Sequence, residues 1–229
     1  MAEDWNRALA VVAHPDDMEY GAAAAVARWT AQGKWVGYVL VTDGEAGIQS
    51  MPPDEVGPIR REEQIAGCRQ VGVTDVEFLG LPDGTLVESL ELRAVLAEVI
   101  RKHRPDVVLS INHRDSWGGP SWNHADHRAV GRALLDAGRD AANPWVFRGR
   151  GDPWAGVRFT AFSGSPNATH AVDVTDTFEA GVRSLSSHRT YLEHIGGAMA
   201  SPEEFLREGA THAGEQLGVA LGAAFEVVG

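Results

Sequence analysis

The stretch LAVVAHPDD at residues 9–17 joins a short apolar run to a polar turn, and this combination indicates an α/β fold. Similar apolar runs recur along the chain, separated by stretches with helical periodicity. Strands are predicted near Leu9–Ala13, Trp35–Thr42, Val76–Leu79, Asp106–Ile111, Arg158–Phe162 and Ala171–Val174. Helices are predicted near Tyr20–Gln32, Ile59–Val71, Ser89–His103, His124–Asp140, Thr177–Ile195 and Pro202–Leu217. The alternation predicts a Rossmann-like, mostly parallel twisted sheet with helices on both faces.

The composition is that of an ordinary globular protein, with 44% apolar and 23% charged residues among 229. No repeat, low-complexity tract or charge block marks a linker, so we expect one domain over residues 1–229. Thirty-two acidic residues outnumber twenty basic ones, and the net charge of −12 argues against nucleic acid and anionic membranes as partners. No apolar run approaches the roughly 20 residues of a membrane span. The single cysteine, Cys68, and the lack of a signal-peptide pattern predict a cytoplasmic protein.

Polar residues cluster where the predicted strands end. In an open parallel sheet, ligands bind beyond the carboxyl ends of the strands. Five segments fall at these ends or one loop later: His14–Asp17, Asp43–Gly47, Leu81–Gly84, Asn112–Asp115 and His124–His127. We therefore expect the functional site at this edge of the sheet.

Two of these segments have the residue types of a metal site. His14 and Asp17 lie three residues apart in a tight turn, where an imidazole and a carboxylate can reach one ion. His124 and His127 share one face of a predicted helix, and either can supply a third ligand while leaving an open position for water. An isolated aspartate at a strand-to-helix junction is more often a helix cap. The convergence of both segments on one crevice favours the metal site.

Several motifs follow one another in a specific order: Ala13–Asp17, Thr42–Gly47, Arg60 with Glu63, Leu81–Gly84 and His124–His127. This order resembles the LmbE/PIG-L family of N-deacetylases over roughly Leu9–Ala141. The HPDD sequence alone is a weak signal, but its combination with a later HxDH is specific.

The resemblance implies a zinc ion bound by His14, Asp17 and His127, with Asp16 as the general base. One zinc ion per chain is expected, although such a ligand set also accepts iron or another divalent metal. Amide hydrolysis needs an activated water, and zinc lowers the pKa of a bound water to about 7.

The resemblance also implies roles for residues around the metal. His124 is expected to be the positively charged stabiliser of the tetrahedral intermediate, and Asp126 to tune it. Glu45, Arg60 and Asp83 match family positions that hydrogen-bond sugar hydroxyls or a neighbouring group, and they are the expected substrate contacts.

The sequence therefore predicts a metal-dependent hydrolase that removes an acyl group, expected to be acetyl, from the amine of an amino sugar or its glycoside or conjugate. Two alternatives stay open: a zinc amidase for another amide, such as a thiol-sugar conjugate, and a non-catalytic sugar- or nucleotide-binding module. The module lacks its fingerprint, since no GxGxxG or GxxxxGK[ST] follows the first strand. The expected partner is a small-molecule N-acyl amino sugar or glycoside, and a homo-oligomer stays open.

Trp117, Trp122, Trp145 and Trp154 lie between the fourth and fifth predicted strands. We expect them to pack a long loop; in the alternative, the loop forms a wall for a substrate with a large apolar portion. Trp122 stands where some sugar deacetylases have tyrosine, so no phenol role is carried over. The late segment at residues 187–191 matches the family only loosely, and no catalytic role is expected for His188.

Overall fold

The chain forms nine strands, seven α-helices and one 3₁₀ helix in a computed structural model that describes residues 1–229. The strands are β1 (Arg7–Val12), β2 (Trp35–Leu40), β3 (Asp75–Phe78), β4 (Val107–Ile111), β5 (Ser116–Gly118), β6 (Ser121–Trp122), β7 (Phe159–Ser163), β8 (His170–Asp173) and β9 (Gly222–Val228). The helices are α1 (Ala23–Ala31), α2 (Pro53–Gln70), α3 (Leu90–His103), α4 (Ala125–Ala142), α5 (Phe178–Leu185), α6 (Arg189–Ile195) and α7 (Pro202–Leu217), with a 3₁₀ turn at Ala198–Ala200. None of the helices combines the length and the apolar character needed to cross a membrane.

Seven strands form one sheet in the order β3-β2-β1-β4-β7-β9-β8. The first five strands in this order are parallel, and β9 runs antiparallel to both of its neighbours. β5 and β6 pair separately as a small antiparallel hairpin. The predicted Rossmann-like, mostly parallel architecture is confirmed.

Both faces of the sheet are covered, because successive side chains of β1 point into two different apolar cores. Val12 belongs to the core that includes Trp29 of α1. Val11 belongs to the core on the other face, which includes Leu96 of α3 and Leu134 of α4. A strand buried on both faces appears in sequence as a continuous apolar run, which explains the stretch before the HPDD turn.

The sequence pattern does not predict the C-terminal strand β9. Its residues, GAAFEVV, are rich in alanine and alternate only weakly between apolar and polar types. Their extended conformation comes from pairing with β7 and β8, which is a tertiary contact and leaves little trace in local sequence.

Three predicted helix boundaries are wrong. The helix expected over Thr177–Ile195 is two helices, because the chain turns between α5 and α6. The helix α2 begins at Pro53 rather than Ile59, since proline is tolerated at the first helical position and Pro58 removes only one donor close to the helix start. The helix α1 begins at Ala23 rather than Tyr20, because the preceding residues form tight turns.

The helix α4 begins at the predicted site and is held at its other end by Arg101 of α3. This buried guanidinium donates six hydrogen bonds, at 2.9–3.2 Å, to backbone carbonyl groups at the end of α4 and in the loop that follows. The C-terminal carbonyl groups of a helix lack partners within the helix, so Arg101 satisfies groups that burial would otherwise leave unpaired.

We expect the substitution Arg101→Met to lower the free energy of unfolding by about 3 kcal/mol, because several buried carbonyl groups lose their donor. Urea unfolding followed by circular dichroism measures the change. Arg148→Met, in an exposed part of the same loop, is the matched control and should change stability by less than about 0.5 kcal/mol. Equal effects of the two substitutions would contradict this role of Arg101.

Candidate metal centre

The HPDD turn follows β1 directly and is buried. Oδ2 of Asp17 accepts a hydrogen bond from the backbone N–H of His14 at 2.9 Å, which closes the turn. Asp16 has a left-handed backbone conformation with φ of 86°, which non-glycine residues rarely adopt. Its N–H donates to Oε1 of Gln64 at 2.8 Å, so α2 supports the strained residue from behind.

Hydrogen bonds determine which ring nitrogen carries the proton in His14 and in His127. Nε2 of His14 lies 3.0 Å from Oδ1 of Asp83 and 3.3 Å from Oδ2 of Asp126, and carboxylates only accept. Nδ1 of His127 lies 3.0 Å from Oδ1 of Asn123, whose own Nδ2 donates to two backbone carbonyl groups and so orients the amide. The lone pairs of His14 Nδ1 and His127 Nε2 therefore face inward.

Three acceptor atoms converge as a result. Nδ1 of His14 lies 3.1 Å from Nε2 of His127, and Oδ1 of Asp17 lies 3.7 Å from the first and 3.0 Å from the second. A tetrahedral zinc site with bonds of about 2.0–2.1 Å has ligand atoms about 3.3 Å apart. Lone pairs at this spacing repel one another unless a cation lies between them. The donor set therefore fits a divalent metal ion.

Burial and charge act against each other on two of these ligands. Burial alone lowers the pKa of His14, but the carboxylates of Asp17 and Asp126 outweigh burial and raise the pKa well above its ordinary value. Burial alone raises the pKa of Asp17, but His127 and His14 outweigh it and hold the pKa far below its ordinary range. Both shifts have one cause, the attraction between these carboxylates and positive charge on the histidines, and the same attraction favours a bound cation.

The pKa of Asp16 is shifted in the opposite direction to the pKa of Asp17. Burial is the largest effect and, with the charge of Asp17, raises the pKa of Asp16 to about 7 against the opposing charge of Arg60. Nη2 of Arg60 lies 2.9 Å from Oδ2 of Asp16 but outside the hydrogen-bonding direction, so this oxygen has no donor. A carboxyl group with a pKa near 7 both takes up and releases protons at neutral pH.

The implied positive charge of His124 is not favoured by its surroundings. Burial, followed by the nearby rings of His14 and His127, lowers the pKa of His124. Its Nδ1 accepts a hydrogen bond from the backbone N–H of Asp126 at 3.2 Å, as the N-cap of α4. The proton of the neutral ring is therefore on Nε2, and His124 offers a neutral N–H donor to the cavity.

Asp126 contacts a different histidine from the one that the resemblance implies. Its carboxylate is fully buried and accepts hydrogen bonds from the backbone N–H groups of Gly84 at 2.7 Å and Leu86 at 3.1 Å. Its ring contact is with Nε2 of His14, not with the imidazole of His124. Asp126 therefore positions a metal-ligand candidate from outside the cavity lining, and its charge also acts on His124 by raising that pKa against burial. Its tuning of His124 stays a prediction.

Glu45 does not line the cavity, and its predicted contact with substrate stays a prediction. Its Oε1 accepts a hydrogen bond from the backbone N–H of Asp83 at 2.8 Å. In return, Oδ2 of Asp83 accepts one from the backbone N–H of Ala46 at 2.8 Å. This reciprocal pair joins the loops that follow β2 and β3, so Glu45 maintains the loop that presents Asp83 to the cavity.

Arg60 reaches the cavity, but most of its donors are used inside the protein. The side chain donates to the backbone carbonyl groups of Pro15 at 2.5 Å and Gly44 at 3.3 Å. The ring of Tyr191, from α6, lies over the guanidinium at 3.9 Å. Arg60 is only 2% exposed, and its first effect is to hold the HPDD turn and the general-base candidate in place.

Sequence reasoning missed three residues of the site: Gln64, Asn123 and Tyr191. Gln64 lies one helical turn after Arg60 on the same face of α2, and Asn123 directly precedes the second motif, so both had a positional signal. Tyr191 had only the loose family match of residues 187–191, which does not show that α6 packs against the site.

A cavity of about 1030 Å³ opens over the centre. This volume is at the upper end of the range of about 300–1,000 Å³ for ligand pockets. The predicted site residues that line the cavity are His14, Asp16, Asp17, Arg60, Asp83, His124 and His127. Five aromatic side chains line it as well: Tyr20, Trp117, Trp122, Tyr191 and Phe205.

Residues 9–138 match the PIG-L family, described as GlcNAc-PI de-N-acetylase. The chain belongs to this family. The match includes both metal-ligand motifs and the loops between them, and it confirms the resemblance that the motif order indicates.

Two relatives and one solved structure that are similar to this chain are named as deacetylases of N-acetyl sugars. Diacetylchitobiose deacetylase of Thermococcus kodakarensis is 28% identical over 94% of this chain and 80% of its own length. A 1D-myo-inositol 2-acetamido-2-deoxy-alpha-D-glucopyranoside deacetylase of Thermomonospora curvata is 30% identical, over 70% of this chain but only 61% of its own length. The structure of N,N'-diacetylchitobiose deacetylase from Pyrococcus horikoshii superposes with a TM-score of 0.86 and 27% identity, covering 99% of this chain and 85% of that one.

The same fold also occurs in an enzyme with a different reaction. The 4-carboxy-2-hydroxymuconate hydratase GalB of Pseudomonas putida has a TM-score of 0.79 at 20% identity, covering 98% of this chain and 96% of that one. At this identity the likeness shows the fold alone, and the reaction depends on the residues of the site.

The side-chain oxygen Oδ1 of Asn123 fixes the ring of His127. We therefore expect Asn123→Ala to weaken zinc affinity about 10- to 100-fold. Competition with a chromophoric chelator measures the affinity, and circular dichroism checks that the apoprotein stays folded. Asn167→Ala, at an exposed loop position, is the control and should leave zinc affinity unchanged. Unchanged zinc affinity of Asn123→Ala would argue against His127 Nε2 as a ligand atom.

His188 lies beneath the site, fully buried, and neither ring nitrogen has a hydrogen-bond partner. Burial, with a smaller effect of Arg60, lowers its pKa to about 3. Since the unfolded chain binds this proton near pH 6.5 and the folded chain does not, stability is retained above that pH and lost as pH falls towards 3.

Replacing the ring by His188→Leu should remove this pH-dependent loss. Between pH 7.5 and 5, the variant should gain about 2 kcal/mol in unfolding free energy relative to the unmodified chain. Urea unfolding at pH 7.5 and pH 5 measures the gain, and His212→Leu, at an exposed position, serves as the control. Parallel pH profiles of all three proteins would show that folding does not lower the pKa of His188.

Proposed function

We propose that this chain is a zinc-dependent hydrolase that removes an acetyl group from the amine of an amino sugar or its glycoside or conjugate. The proposal includes His14, Asp17 and His127 as the zinc ligands and Asp16 as the general base, within a single catalytic domain. A cytoplasmic location stays a prediction of the sequence.

One observation carries the proposal: three inward-facing ligand atoms meet beside a carboxyl group of raised pKa in the wall of a large cavity. A structural ion would be enclosed by protein, whereas a catalytic one keeps an open position. Membership of a de-N-acetylase family and the acetylated sugar substrates of the similar proteins support amide hydrolysis as the reaction.

A bound zinc ion would act as a Lewis acid and lower the pKa of a water molecule to about 7. Asp16 supplies the base, because its Oδ2 has no donor in the protein and its pKa of about 7 lies near the working pH. The strained backbone of Asp16, held by Gln64 and Arg60, keeps this carboxylate beside Asp17 but in a different electrostatic environment.

His124 supplies the hydrogen-bond donor on the other side of the reacting carbonyl group. The N-cap hydrogen bond at Nδ1 fixes the ring so that Nε2–H is available to the oxygen on which negative charge develops. The amine then leaves with the proton that Asp16 takes from the water, because the neutral ring of His124 is too weak an acid to give up its own.

The substitution Asp16→Asn should lower kcat for deacetylation about 10²- to 10⁴-fold, while zinc content stays at one ion per chain. Acetate release from N-acetylglucosamine and its methyl glycoside measures activity, and atomic emission measures zinc. Asp152→Asn, an exposed and otherwise equivalent substitution, should leave both readouts unchanged.

The variant Asp17→Asn separates the two aspartates. It should lose zinc as well as activity, because Asp17 is proposed as a ligand and Asp16 is not. Full activity of Asp16→Asn would refute the general-base role, and an inactive Asp16→Asn that also lost its zinc would show that both aspartates hold the metal.

A panel of amides decides between the acetyl sugar and the other substrates that the sequence leaves open. The proposal expects acetate release from N-acetyl sugars to exceed release from an N-acylated thiol-sugar conjugate. A zinc-loaded protein that binds these sugars without cleaving any of them would instead be the non-catalytic module.

A further inference from the structure

Glu19 is a buried carboxyl group that the proposed reaction does not use. It is 1% exposed and does not line the active-site cavity. Its chain neighbour Met18 and Cys68 of α2 belong to the apolar core that α1 covers. The side chains that donate to Glu19, Gln64 and Ser184, are neutral, and its Oε2 has no partner. Burying a carboxyl group without a cationic partner costs stability, so its presence in this core calls for a function.

Gln64 is the main partner of Glu19. Its Nε2 donates to Oε1 of Glu19 at 3.0 Å. The hydroxyl group of Ser184 lies 3.3 Å from the same oxygen, but it has one proton and a shorter contact, 2.8 Å, with the carbonyl group of Gly67. A neutral carboxyl group keeps an acceptor oxygen, so the contact with Gln64 does not depend on the charge of Glu19.

The side-chain amide of Gln64 has one orientation that satisfies both of its ends. The backbone N–H of Asp16 only donates, so it requires Oε1 of Gln64, which lies at 2.8 Å. Glu19 requires Nε2, whose other contact is with Sγ of Cys68 at 3.2 Å, a weak acceptor. Glu19 is therefore the strong acceptor that keeps the amide oxygen turned towards Asp16.

The amide of Gln64 acts on the peptide group between Pro15 and Asp16. The carbonyl group of Pro15 accepts from Nη2 of Arg60 at 2.5 Å, and the N–H of Asp16 donates to Gln64. Two side chains of α2 thus hold both ends of the peptide group whose orientation sets the φ of 86° at Asp16. If the N–H end were released, the peptide group could rotate towards ordinary φ values and displace the carboxylate of Asp16 from its place in the cavity wall.

We propose that Glu19 is a positioning residue for the general base, which acts through the amide of Gln64 and keeps the carboxylate of Asp16 in place beside the metal centre. The inference rests on the proposed function, because Asp16 is a base only if the chain catalyses hydrolysis. Glu19 itself lies outside the cavity lining and contacts no reacting group. A displacement of about 1 Å can lower a rate about 10²-fold, so the loss of one link in this chain of contacts should be visible in kcat.

The test compares Glu19→Met with Glu19→Gln in the zinc-loaded protein, with acetate release from N-acetylglucosamine as the assay. Methionine is similar in size but has no acceptor oxygen, so Glu19→Met should lower kcat about tenfold and leave KM and zinc content unchanged. Glu19→Gln keeps an oxygen that accepts from Gln64, so its kcat should stay within about twofold of the unmodified protein. Urea unfolding checks that both variants are folded.

A double-mutant cycle tests whether Glu19 acts through Gln64. Gln64→Met should lower kcat at least as much as Glu19→Met, and adding Glu19→Met to Gln64→Met should cause no further loss. Thr30→Val is the matched control, because its hydroxyl group also joins α1 to α2, by donating to the carbonyl group of Val71 at 2.6 Å at the other end of α1. Thr30 does not line the cavity, and Thr30→Val should leave kcat unchanged.

The outcomes distinguish the two proposals. An unchanged kcat of Glu19→Met, or additive losses in the cycle, would overturn the positioning role while leaving deacetylation intact. A loss that Glu19→Gln shares, or that comes with unfolding or with loss of zinc, would also overturn it, because Glu19 would then support the fold or the metal ligands and not Asp16. Absence of acetate release from every N-acetyl sugar in the unmodified, zinc-loaded protein would instead count against the proposed function itself.

Discussion

The site depends on two hydrogen bonds that turn the imidazole protons of His14 and His127 away from each other. Without the carboxylates on Nε2 of His14 and the amide oxygen on Nδ1 of His127, either ring could donate to the other across their 3.1 Å separation. The two rings would then form a hydrogen bond with each other, and no cation would be needed between them. With both protons committed elsewhere, the inner nitrogens are left as acceptors beside Asp17, and a cation is what completes the arrangement.

The groups that direct these protons also organise the surrounding loops. Asp126 holds the loop after β3 through the N–H groups of Gly84 and Leu86, and Asn123 holds the loop after β4 through two carbonyl groups. Glu45 joins the loop after β2 to the loop after β3. Moving the rings of His14 and His127 would therefore also move three loops, and a metal ion bound between the rings would be expected to stabilise all three loops together.

The strand-end rule located the site from sequence because it depends on topology, which the alternation of apolar runs and helical patterns already shows. His14, Asp17 and His127 could be found in this way, since their neighbours in sequence fix where their backbone lies. The partners of Asp126 and Glu45 could not, because both side chains bond to backbone groups of a loop about 40 residues away. The strand β9 and the position of the Tyr191 ring over Arg60 could not be predicted from sequence for the same reason, because each depends on a tertiary contact.

Adjacent aspartates with opposite pKa shifts are the feature that the fold alone does not supply. A hydratase has the same architecture, so a cavity at the strand ends does not determine a reaction. Here the two histidines stabilise the charged form of Asp17, which suits it to bind a cation, whereas burial raises the pKa of Asp16 to about 7, where it exchanges protons. The left-handed backbone at Asp16 separates the two environments, because neighbours in a regular turn would share one. Pairs of carboxyl groups whose pKa values are pushed apart in this way divide acid–base chemistry between them, and the division in this turn is what argues for hydrolysis.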